Sequence, residues 1–298
     1  MNGEAKDFNE ARRNILPSHI ITKFYILHFD EIKEKESENI FKQQLEKCQN
    51  YKATQQAFIN LHKKMSKEKQ IITDPVVALR NLKNYIYFDK SKVAPRIAAE
   101  ILYVGRFPKE ERNKYKDIIN QFGDLILDEN KLGKITEKFK EENIIYDEDN
   151  DFEKNSYVKA VYLGLTACES GFHPLLVGKN GSGLTTLSKI IASLYNNKVY
   201  EFLLFNKEIS NEDLIGYYQP KTPGKGEIFE KHKLSSLINW NKGPIYKSLE
   251  NGIPIILDDI GYAKSQILES MNSILETNVK YDELSYKVVQ NKGDILKI

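Results

Sequence analysis

Two cysteines, Cys48 and Cys168, are all that 298 residues contain. They lie too far apart for a metal-ligand or redox spacing. They read as buried small hydrophobes of a reducing compartment. Charge of one sign is also missing, since 44 Lys and Arg against 42 Asp and Glu leave a formal net charge of +2. A protein that grips nucleic acid through its phosphates needs a strongly basic face, so no direct nucleic-acid binding is expected. No apolar run approaches the roughly 18 residues of a membrane span. The opening Met1-Asn2-Gly3-Glu4-Ala5-Lys6-Asp7 lacks the apolar centre of a secretory signal. These absences predict a soluble intracellular protein with no membrane partner. Apolar material itself is not short: hydrophobic residues make up 41% of the chain, enough for a buried core in two domains or one large one.

The N-terminal third reads as mostly helical. Ile20 to Phe29 is rich in β-branched and aromatic residues and predicts a strand. From Ser37, a candidate N-cap, the pattern becomes helical, with Ile40, Phe41 and Leu45 on one face. A second helix is expected over Thr54 to Met65, carrying Phe58 and Leu61. Asp74-Pro75 is a start signal for a third helix, whose stripe is Val76, Leu79, Leu82 and Ile86. Lys92 to Tyr103 and Pro108 to Phe122 give two more helical patterns. No strand interrupts residues 37–122, so they are expected as a bundle apart from any sheet. Residues 123–155 are looser, with Gly123, Asn130 and Gly133 breaking the pattern. The acidic run from Asp147 to Asp151 reads as a solvated linker, against a competing reading as a metal or basic-partner site.

From residue 156 strands and helices alternate, which implies an α/β fold with a parallel, doubly wound sheet. Ser156 to Cys168 is an amphipathic helix through Val158, Val161, Tyr162 and Leu165. The short apolar run Leu175 to Val177 then enters Gly178-Lys179-Asn180-Gly181-Ser182-Gly183-Leu184-Thr185-Thr186, and a helix comes next through Leu187, Ile190, Ile191 and Leu194. This is the strand, glycine-rich turn and helix of a phosphate-binding loop, G-x-x-x-x-G-K-[ST], with one departure: Leu184 stands where the lysine belongs. In such a loop the glycines let backbone N–H groups converge on phosphate oxygens at the positive end of the helix. A second strand is expected over Val199 to Phe205, a short helix over Asn211 to Tyr217, a turn-rich loop or hairpin at Pro220 to Gly226, and a short helix over Gly243 to Leu249. Ile253 to Asp259 is an apolar strand ending in two carboxylates, where open α/β sheets place their ligands. Asp258 would hold Mg²⁺ with Thr185, and Asp259 would orient a water. Ile267, Met271 and Ile274 mark a last helix, and Ile295 to Ile298 the start of a strand.

The stretches Leu175 to Leu187, Ser210 to Gly216, Asn241 to Gly252 and Ile256 to Glu276 together resemble the dynein-related AAA+ modules, in particular those of the midasin family. That family comprises giant six-module ATPases of large ribosomal subunit assembly. The resemblance extends to the N-terminus. Met1-Asn2-Gly3 is similar to the polar sensor segment of such a module, Leu16 to Phe24 to its arginine-bearing segment, and residues 76–86 to its lid helix. It implies a P-loop AAA+ core preceded by an all-helical lid. Residues 1–36 would be the end of one core, 37–122 a helical lid, 123–155 a linker, and 156–298 a second core, incomplete at its C-terminus. The chain would then be a piece of a much larger protein or a broken gene model.

By resemblance, residues 178–186 would bind ATP, Thr185 and Asp258 would hold Mg²⁺, and Asp259 and Lys23 would be catalytic. The implied partners are neighbouring AAA+ modules of one ring and the pre-60S ribosomal particle with its assembly factors, in the nucleolus or nucleoplasm. Three departures weaken the activity. Leu184 removes a charged hydrogen bond worth about 1.5–3 kcal/mol, or about tenfold to hundredfold in affinity. Asp259 is one methylene shorter than the family's glutamate. Lys23 lacks the planar fork of arginine. The expectation is therefore a degenerate module of a midasin-like ATPase. The alternatives are a purely structural, nucleotide-independent module and another dynein-related AAA+ protein, such as a dynein motor fragment or a stand-alone ATPase.

Overall fold

The computed structural model describes residues 34–48, 50–67, 75–107, 109–144, 152, 155–196, 199–220 and 238–275. The expected strand at 20–29, Lys23, the acidic run at 147–151 and the expected strand at 295–298 lie outside these residues. Packing divides the chain into residues 1–40 and 41–298, and the described elements belong to the second unit except for the start of the first helix.

Helix α1 spans Glu34–Leu45, so Ser37 lies inside it rather than capping it. Helices α2 (Gln55–Lys67), α3 (Pro75–Lys90) and α4 (Pro95–Leu102) come next. Pro75 and Pro95 each stand at the first helical position, where a missing N–H leaves nothing unsatisfied. An aromatic cluster holds this block. The Tyr85 ring lies 4.4 Å from Tyr51, 4.8 Å from Phe58 and 5.9 Å from Phe122, and Phe58 in turn meets Phe41 at 5.5 Å. Thr54 Oγ1 and Tyr85 Oη are hydrogen-bonded at 2.9 Å, and Tyr51 Oη donates to the Val93 carbonyl at 2.8 Å. Both phenols are thus buried with partners, as buried polar groups must be. The single helix expected over 108–122 is broken into α5 (Lys109–Arg112) and α6 (Lys116–Asn120) by a 3-10 turn at Asn113–Tyr115. The tighter turn carries Tyr115 inward, where it is buried and stacks on Phe107 at 4.8 Å.

The expected looseness of 123–155 is not what the structure shows throughout. Helix α7 occupies Glu129–Glu141, capped by Asp128, whose Oδ1 accepts from Lys131 N at 3.1 Å. Gly133 sits within it on an open surface. A helical glycine costs about 1 kcal/mol relative to alanine. Burial of Ile135 and Phe139, both fully enclosed, outweighs that cost, at roughly 1.5–3 kcal/mol per side chain. Helix α8 (Ser156–Glu169) is capped by Asn155 and buries Val158, Val161, Tyr162 and Leu165, as the sequence period predicts. Helix α9 (Leu184–Tyr195) lies beside it. One core joins Ile97 of α4, Ile135 and Phe139 of α7, Val161 and Tyr162 of α8, and Leu187, Ile190 and Ile191 of α9. Cys168 belongs to this core, and both Cys48 and Cys168 are buried free thiols.

The strands come after this core in the chain. Strand β1 (Glu201–Leu204) is succeeded by α10 (Asn211–Ile215), the hairpin arms β2 (Gly216–Pro220) and β3 (Ile238–Lys242), α11 (Pro244–Asn251), β4 (Ile255–Asp258) and α12 (Ser265–Leu275). β1 pairs with β4 in parallel, Glu201 opposite Ile255 and Leu204 opposite Asp258. The intervening elements supply the long crossover that parallel pairing requires. Leu203 and Leu257 face a core made by Ile245 of α11 and by Ile267 and Met271 of α12. On the other face Lys189 of α9 lies 5.0 Å from the Phe202 ring. Helices thus cover both faces of the strand pair, the layering of a doubly wound α/β domain.

β2 and β3 pair antiparallel, flanking the expected turn-rich loop. Gly216 closes α10 at φ 133°, and a Cβ there would lie 2.3 Å from the Asn241 carbonyl oxygen. The run Leu175 to Val177, expected as a strand, has no ladder partner among the described residues. Its side chains still alternate. Leu176 packs against the core of α7, α8 and α9, while Leu175 and Val177 are 71% and 84% exposed. Three apolar residues bury one side chain here, and no strand among the described residues pairs with them.

Glu100 of α4 and Lys159 of α8 form a salt bridge at 2.7 Å, with side-chain exposures of only 6% and 13%. Glu100→Ala removes a nearly buried charged partner of Lys159, and is expected to lower unfolding stability by about 3 kcal/mol in urea denaturation. The double change Glu100→Leu, Lys159→Met should recover most of that loss.

Candidate functional site

The site is built where α9 begins and β4 ends. Three glycines shape the loop ahead of α9. Gly181 and Gly183 both take φ 79°, a left-handed conformation open to glycine at no steric cost. Gly183 is the N-cap residue of α9. The Ser182 N–H donates to the Lys179 carbonyl at 3.1 Å and closes a tight turn over residues 179–182. A Cβ at Gly178 would meet Ser182 Oγ at 2.8 Å and a Leu184 methyl at 3.2 Å, so a side chain here would require Ser182 or Leu184 to shift. The first N–H groups of α9 lack acceptors in their own helix, which is the property that makes such an end receptive to anions. Ser182 Oγ is buried and has no hydrogen-bond partner among the described residues.

Thr185 and Asp258, expected as a pair from opposite ends of the site, are in contact. Thr185 Oγ1 donates to both carboxylate oxygens of Asp258, at 2.9 and 3.2 Å. Asp258 is the last residue of β4, and alternation places it on the α9 side of the strand pair, opposite Leu257. A hydroxyl beside one carboxylate fits Mg²⁺, which is commonly held by one or two protein oxygens together with phosphates and water. Among the described residues no group of three or more His, Cys, Asp or Glu side chains gathers to hold a metal. Any metal here would thus rely on Thr185 and Asp258.

Asp259 comes next at φ 55°, ψ 35°, and is exposed. Its carbonyl accepts from Tyr262 N at 2.9 Å, so the left-handed residue is locked by the turn after the strand. Lys179, Asn180 and Thr186 are exposed on the loop and the first turn of α9, and Leu184 is half-buried. Lys23 lies outside the described residues. The loop thus turns on two left-handed glycines ahead of α9. At the lysine position it presents methyl groups, folded back against Gly178.

Two residues gain a place that the sequence does not announce. Phe172 stacks on Phe88 of α3 at 4.6 Å and meets Tyr87 edge-on at 5.8 Å, tying the approach to the loop to the helical block. His173, next to it, is pulled down to about 4 because burial disfavours its charged form. A histidine one position after a phenylalanine carries no sequence signal of burial, since neither lies in a periodic segment.

The AAA domain family (dynein-related subfamily) matches residues 173–296. The chain carries a dynein-related AAA+ domain. Its relatives include midasin of Giardia intestinalis, 27% identical over 41% of this chain and 3% of that protein. Midasin of Dictyostelium discoideum is 30% identical over 34% of this chain and 2% of its own length. An uncharacterised Bacillus subtilis protein, YojN, is 25% identical over 39% of this chain and 35% of that one. The matched stretches thus span a few per cent of the midasins. The match begins at His173 and takes in the phosphate loop, α9, the hairpin arms and both carboxylates of the AAA+ domain. No helix among the described residues is long and apolar enough to cross a membrane.

The state of His173 fixes a pH dependence. Its folded pKa of about 4 lies below the unfolded value near 6.5, so the unfolded chain takes up the proton first. The stability this neutral imidazole supports is complete above about pH 6.5 and is lost as pH falls towards 4. At pH 4.5 the loss should be about 2 kcal/mol, read as a stability difference from pH 7.5 that shrinks in His173→Gln. Asp259→Gly should raise stability by about 1 kcal/mol in thermal unfolding, because glycine adopts the left-handed conformation without strain.

Proposed function

We propose that this AAA+ domain is a degenerate module of a midasin-like ring, one that holds MgATP weakly and contributes packing rather than hydrolysis. The observation that carries the reading is the pairing of a retained scaffold with a lost contact. The glycine conformations and the Thr185–Asp258 contact are those a nucleotide loop needs, while Leu184 turns methyl groups onto Gly178 where a cation would meet phosphate. In that reading residues 178–186 cradle the phosphates, and Thr185 with Asp258 holds Mg²⁺. The ion would supply charge neutralisation. Asp259, short and exposed, is a poor replacement for a water-orienting glutamate, since a misplacement of about 1 Å can cost on the order of 10²-fold in rate. Lys23 is the matching weak replacement for an arginine.

The likeness to midasin extends the proposal to partners. Neighbouring AAA+ modules would pack against this one, and the ring would couple ATP hydrolysis elsewhere to remodelling of pre-60S ribosomal particles and their assembly factors. A nuclear location belongs to that part of the proposal alone, because a bacterial protein is also among the relatives.

Isothermal titration of MgATP into the native chain and into Leu184→Lys tests the degenerate-site reading. The lysine should tighten binding about tenfold to hundredfold, the worth of a charged hydrogen bond. Micromolar binding by the native chain that Leu184→Lys does not improve would sink it.

A further inference from the structure

We propose that Lys179, in the turn at the front of the loop, takes over the phosphate-neutralising role that Leu184 has lost; the inference rests on the loop being a nucleotide site. Lys179 is the sole Lys or Arg between Lys159 and Lys189. It is exposed, and its side chain has no ion-pair or hydrogen-bond partner among the described residues. Three other residues near the loop do not do this task. Leu184 offers only methyls, and His173 is half-buried and neutral near pH 7. Lys189 lies more than one helical turn into α9, over the Phe202 ring, on the flank of the helix and not at its start.

The surroundings of Lys179 point to a polyphosphate. The turn that begins at its carbonyl ends at Ser182, whose buried hydroxyl has no partner among the described residues. The same turn leads through Gly183 to the free N–H groups of α9. A buried hydroxyl without a partner is costly unless a ligand satisfies it. Lys179, Ser182 and the helix start therefore present a cation, a hydroxyl and backbone donors along one short turn. No ion pair joins Lys179 to Asp258, whose carboxylate accepts from Thr185. A lysine on a flexible stem acts on phosphate as a point charge and needs no fixed fork geometry, so a shift in its position along the loop is tolerable.

A double-mutant cycle on the full chain tests this, with MgATP as the probe, titrated at two salt concentrations. Lys179→Ala should weaken binding about tenfold or more in the native background and flatten its salt dependence. In the Leu184→Lys background the same change should cost under about threefold, because the restored lysine now carries the charge. Lys179→Arg should bind as the native chain does. Circular dichroism melts confirm that each variant folds. Equal affinities for the native chain and Lys179→Ala would overturn the inference. So would a native chain that does not bind at about 10 mM MgATP while Leu184→Lys does, an outcome that keeps the loop as a nucleotide site. Absence of binding by folded Leu184→Lys would instead remove the nucleotide reading itself, and this inference with it.

Discussion

The packing of α9 against α8 is the constraint on which the site depends. Leu187, Ile190 and Ile191 are buried on one stripe of α9 and cannot be turned outward without losing several kcal/mol, at roughly 1.5–3 kcal/mol per side chain. Once that stripe is fixed, the start of α9 has one direction to point. The Thr185 hydroxyl then falls at the end of β4, and the loop from Gly178 to Gly183 must bridge what remains. The polar site is thus a consequence of an apolar seam. Its chemistry can decay by single substitutions while its geometry persists, because Leu184, Lys179 and Asp259 all lie outside the buried stripe.

Much of this was readable in the residues. The starts at Pro75 and Ser156, the stripe of α9, and the carboxylates closing β4 come from capping signals and hydrophobic period. These features are local, and local rules describe them. Helix α7 was not readable, because Asn130 and Gly133 look like breakers when Ile135 and Phe139 have no visible partner. Their partners come from α8 and α9, later in the chain. The inward turn of Tyr115 has the same origin, since Phe107 rather than the helical period decides it. In the site, the contact between Thr185 and Asp258 was foreseeable from the motifs. The burial of His173 and the clamp on Phe172 were not, because each depends on α3 or on the core reaching the chain from outside its own segment.

The helical block and the AAA+ domain are less separable than their sequence patterns suggest. Ile97 of α4 contributes to the same core as Leu187 of α9, and Glu100 reaches Lys159 across the same boundary. An ion pair withdrawn from water in this way adds little net stability but strongly resists loss of either partner. It favours one arrangement of α4 on α8 over the alternatives that apolar contact alone would permit.

The Phe172–Phe88 stack owes its weight to the segment on its C-terminal side. Leu175 to Val177 has no ladder bonds to hold it among the described residues, so the chain entering the phosphate loop is fastened by side chains, Phe172 on α3 and Leu176 on the core of α7, α8 and α9. Close-packed rings transmit a displacement rather than absorb it. The loop's position is therefore referred in part to α3, a helix remote from it in sequence.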